Sequence, residues 1–148
     1  MVATLLKLLW ARLSNSSDAE LAAIAGKAIK EARYHQQHAA DWVVRLGDGT
    51  AESRRRTEAA LSTLWRYTPE LFSIDAVDET ARATGLGPRW ADVQDAWTHE
   101  VAEILAAARL ATPAESGFRS TQGVHSEHMG YILAEMQHLQ RSFPGGAW

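Results

Sequence analysis

Between residues 18 and 46, apolar or small side chains recur at Leu21, Ile24, Ala25, Ala28, Ala32, Ala39, Trp42, Val43 and Leu46. That spacing of threes and fours gathers on one face at 3.6 residues per turn. It predicts one long amphipathic helix of roughly 40 Å, at about 1.5 Å per residue, the length of a bundle strut. Ser17 with Glu20 three residues on reads as a capping box at its start, and Gly47 opening the turn GDG reads as its stop.

The rest of the chain repeats the helical period. Val2, Leu5, Leu6, Leu8, Leu9, Trp10 and Leu13 cover an arc of roughly 200°, wider than the ~100° stripe of a helix packed on one side. This first helix therefore needs neighbours on two sides. Thr50 is placed to cap a third helix whose Leu61, Leu64 and Trp65 share a face before Pro69 ends it. A short helix is expected over about 75–84, ending at Gly85. Another should start at Pro88 and carry Trp90, Val93, Trp97, Val101, Ile104, Leu105 and Ala108 on one stripe. Residues 111–123 show no period and read as a loop. A last helix over about 124–142 should turn Ile132, Met136, Leu139 and Phe143 inward. No repeat and no sustained alternation appears, so the class is all-α, in a single domain over 1–148 with about six helices.

Composition removes several function classes. Fifteen basic against eighteen acidic residues, a net charge of −3, leave no electrostatic footprint for nucleic acid or an anionic membrane. With no cysteine, thiolate zinc, iron–sulfur clusters and cysteine nucleophiles are excluded. The apolar N-terminus lacks a basic leader and is interrupted by Lys7, which argues against a signal peptide. No run reaches the ~18 apolar residues of a spanning helix. A cytoplasmic protein is expected.

The chemistry-bearing residues cluster in KEARYHQQHAADW, residues 30–42. On the long helix His35 falls near the centre of the apolar face, with Glu31 and His38 close beside it. Carboxylate and imidazole on a bundle-facing surface are the ligand types of helical di-iron sites, which use Glu-x-x-His. Here three residues after Glu31 comes Tyr34, and His35 is one position late. The last helix does contain Glu135-Met-Gln-His138, but His138 should point outward. His125 and His128 fall on its inward stripe. A di-iron centre needs about four carboxylates and two histidines, and only Glu31 and Glu100 are placed to contribute carboxylates. Glu31, His35, His38, His125 and His128 are therefore expected to form a buried polar cluster that fixes helix register. Arg54, Arg55 and Arg56 read first as a solvated helix face, and otherwise as a contact for an acidic partner or a phosphate-bearing substrate. Trp65, Tyr67 and Phe72 read as core or interface anchors.

Four stretches carry a resemblance: KAIKEARYH at 27–35, WVVRLGDGTAES at 42–53, LWRYTPELF at 64–72 and GVHSEHMGYILAEMQHLQRSFPGGAW at 123–148. Together they resemble the C-subunit family (PaaC) of bacterial phenylacetyl-CoA epoxidase, a multicomponent monooxygenase of phenylacetate breakdown. The resemblance implies a ferritin-like helical bundle and a structural, non-catalytic role beside a related catalytic A subunit that holds the di-iron centre. It implies no cofactor in this chain. Glu31 and Tyr34 would stand where the active relative binds iron, with His35 beside them, making these vestigial metal-site positions. Family members begin with a further helix pair, so the bundle here is expected to be partial, with Met1 where the second pair starts. Two other readings compete: a di-iron oxidase using Glu31, His35, Glu100 and His128, and a helical module that forms a homo-oligomer.

Overall fold

The computed structural model describes residues 1–114 and 125–147. Among them are six α-helices, no strand and two 3-10 turns. The order is α1 Val2–Leu13, α2 Ala19–Gly47, α3 Ala51–Trp65, a 3-10 turn at Thr68–Phe72, α4 Ala76–Ala83, a 3-10 turn at Trp90–Val93, α5 Gln94–Ala107 and α6 His128–Ser142. This is the all-α architecture that a ferritin-like bundle requires. The chain divides into two units, Met1–Phe118 and Arg119–Trp148.

In the first unit the core is the stripe read from the sequence of α5. Val93, Trp97, Val101, Leu105 and Ala108 are buried together with Leu5 and Leu9 of α1, Phe72 and Leu110. Trp97 is the centre of an aromatic group, its ring 5.2 Å from Phe72 and 6.0 Å from Trp65. Its indole Nε1 donates to the Met1 carbonyl at 3.0 Å, so burial of the large ring leaves no polar atom unpaired. Phe72 and Trp65 are thus the anchors expected, whereas Tyr67 is exposed. The α1 helix packs on α2 and on α5 at once, which answers its wide apolar arc. Even so, Val2 and Leu6 remain 59% and 42% exposed.

Helix ends follow local chemistry, with two corrections. The cap of α2 is Asp18, whose Oδ1 accepts from the Leu21 amide at 2.9 Å. Ser17 is drawn away: its amide and Oγ donate to the Gly85 and Thr84 carbonyls, tying the α1–α2 turn to the end of α4. The expected helix from Pro88 begins as a 3-10 turn, and α5 proper starts at Gln94, because Asp92 reaches back to the Arg89 amide and guanidinium and closes a separate turn. The Thr50 cap of α3 is as expected, accepting from Ser53 at 3.1 Å. Gly85, at φ 73°, takes the left-handed position after α4, where the Leu86 amide closes back onto the Ala81 carbonyl.

Gly47 does more than stop α2. A Cβ there would lie 2.6 Å from the Ala108 carbonyl oxygen and 2.9 Å from the Ala108 Cβ, so glycine lets the C-terminal ends of α2 and α5 meet.

In the second unit Ile132, Met136, Leu139 and Phe143 of α6 are all more than half exposed, which corrects the inward placement read from their periodicity. A lone amphipathic helix has no apolar surface within its own unit to bury against, and α6 is the one helix among that unit's described residues. Most of the expected loop at 111–123 lies outside the described residues. No described helix is long and apolar enough to cross a membrane.

Candidate functional site

The α2 helix sets Glu31 and His35 one turn apart beside α1, where Val2, Leu6, Trp10 and Ala28 complete a groove of about 420 Å³. Sequence reading placed both residues on a buried face. The structure corrects this: Glu31, His35 and His38 are exposed. The buried face of α2 lies about a quarter turn away, marked by Ala25, Ala32 and Gly47, because α1 and α5 pack against those small positions. His35 and His38 instead surround the exposed Tyr34, with ring centroids 5.7 and 6.1 Å from it. His125 and His128 are exposed as well, in the second unit. Within the first unit Glu31, His35 and His38 are therefore not buried together.

Glu100 has a different partner from any that the metal reading supposed. On α5 it meets the Lys7 ammonium of α1 at 2.5 Å, with the two side chains only 25% and 21% exposed. A short, partly desolvated, charge-assisted contact of this kind occupies the carboxylate with an internal cation. Sequence reading passed over Lys7, seeing it as an interruption of an apolar run. The signal was there, since a lysine within an apolar arc needs a counter-charge on whatever helix covers it. Among the described residues no group of three or more His, Asp or Glu side chains comes together to hold a metal ion.

The arginine triplet is split by its own geometry. Arg54 donates from Nη1 to the Arg109 carbonyl at 3.1 Å, fastening α3 to the end of α5. Arg55 forks onto Glu52 at 2.9 and 2.8 Å, and that hydrogen bonding raises its pKa above the usual guanidinium value. Arg56 is exposed. The three do not converge on one anion. Arg109 itself has φ 56°, a left-handed residue ending α5, and its Nε lies 3.2 Å from Asp48. Arg54, Arg109 and Asp48 thus knit together three helix ends that Gly47 allows to approach.

A second apolar cavity, of about 190 Å³, lies between α2, α3 and α5, with Val43, Leu61, Leu64, Ile104 and Leu105 on its walls. It brings together no titratable side chain and so offers shape without chemistry.

Residues 1–148 match the family described as phenylacetic acid catabolic protein. The C subunit of the 1,2-phenylacetyl-CoA epoxidase of Escherichia coli K12 is 43% identical over 142 residues, which cover 95% of this chain and 57% of that relative. The chain thus spans a little under three-fifths of the relative's length. Both matches bear out the resemblance read from the four quoted stretches, and the chain belongs to the phenylacetic acid catabolic protein family.

Proposed function

We propose that this chain is a non-catalytic, structural subunit of a phenylacetyl-CoA epoxidase in aerobic phenylacetate breakdown, supporting a separate catalytic A subunit that holds a di-iron centre. The observation that carries this reading is the Lys7–Glu100 pair in a chain so similar to the C subunit of such an enzyme. An iron-binding carboxylate has to offer its lone pairs to the metal. Here they face an ammonium group, whose positive charge also opposes a second cation at the same place. Tyr34 three residues after Glu31 adds to the case, because a phenol replaces the imidazole of Glu-x-x-His. Within the first unit Glu31 and His35 line the groove beside α1 while Glu100 pairs with Lys7, which supports a reading in which the oxygen chemistry belongs to the partner. This chain's contribution is a helical surface that holds the catalytic chain in its working conformation.

Co-expression with a catalytic A subunit tests the reading. A complex that survives size exclusion, with iron bound in proportion to the A subunit, is expected. Absence of any complex would count against the partner. Near-stoichiometric iron on this chain alone, lost in Glu31→Ala or Glu100→Ala, would make it an oxidase instead.

A further inference from the structure

We draw no further inference here: the strongest candidate, the apolar cavity of about 190 Å³ between α2, α3 and α5, carries nothing because nothing in the structure shows what covers its wall at Met1 and the half-exposed Leu64.

Discussion

Lys7 and Glu100 approach each other from helices far apart in sequence, and each is three-quarters or more removed from solvent. Removing one partner strands the other's charge, which costs more than the pair itself contributes. Lys7→Met should therefore lower unfolding stability by about 1–3 kcal/mol, and Lys7→Met/Glu100→Met should recover most of that loss. Urea denaturation of the two variants checks it, and additive losses would contradict the pairing. Gly47 makes an opposite point about a residue usually read as a weak spot in a helix. Alanine in place of a helical glycine ordinarily stabilises by about 0.4–1 kcal/mol. Here the new methyl would press on the Ala108 backbone, so Gly47→Ala should destabilise by about 1–3 kcal/mol, visible as a lower urea midpoint at unchanged slope.

At the scale of the element, the ends of α2 show how one residue of displacement changes a function. Ser17 and Asp18 are both good caps, and the one whose side chain is free of other duties takes the role. Asp18→Ala should cost about 1 kcal/mol, and a fall in far-ultraviolet helicity confined to partial denaturation would report it. The faces of α2 teach a related lesson. Its periodicity, read as one apolar stripe, blends two neighbouring ones. The small residues Ala25 and Ala32 admit α1 closely, while Ile24 and Trp42 stand about a quarter turn away in solvent. A 3.6-residue period identifies a helix and its apolar side, but it does not say which of two adjacent rows a neighbour will choose. That choice belongs to the neighbour's shape.

Across the whole molecule, two carboxylates anchor the turns on either side of α4. The Asp78 and Val77 amides hold the Asp75 carboxyl below its usual pKa range, and hydrogen bonding from Arg89 does the same for Asp92. Because the folded values are depressed, the unfolded chain takes up protons first as pH falls. The stability these groups contribute is present above the ordinary aspartate value of about 3.9 and is lost as pH drops through the folded values below it. Urea midpoints should hold steady from neutral pH and then fall below about pH 4, less steeply in Asp75→Asn/Asp92→Asn. The sequence by itself determined the helices, the Thr50 cap, the buried stripe of α5 and the family, because each rests on local periodicity or on runs of identical residues. It also showed that Glu31 is followed by Tyr34 where a ligand histidine would stand. Only the tertiary structure decided that Glu31, His35 and His38 face solvent, that Arg54 serves a helix end and that Lys7 neutralises Glu100. Those outcomes depend on which helix covers which face, and contacts between distant segments leave no periodic trace in the chain.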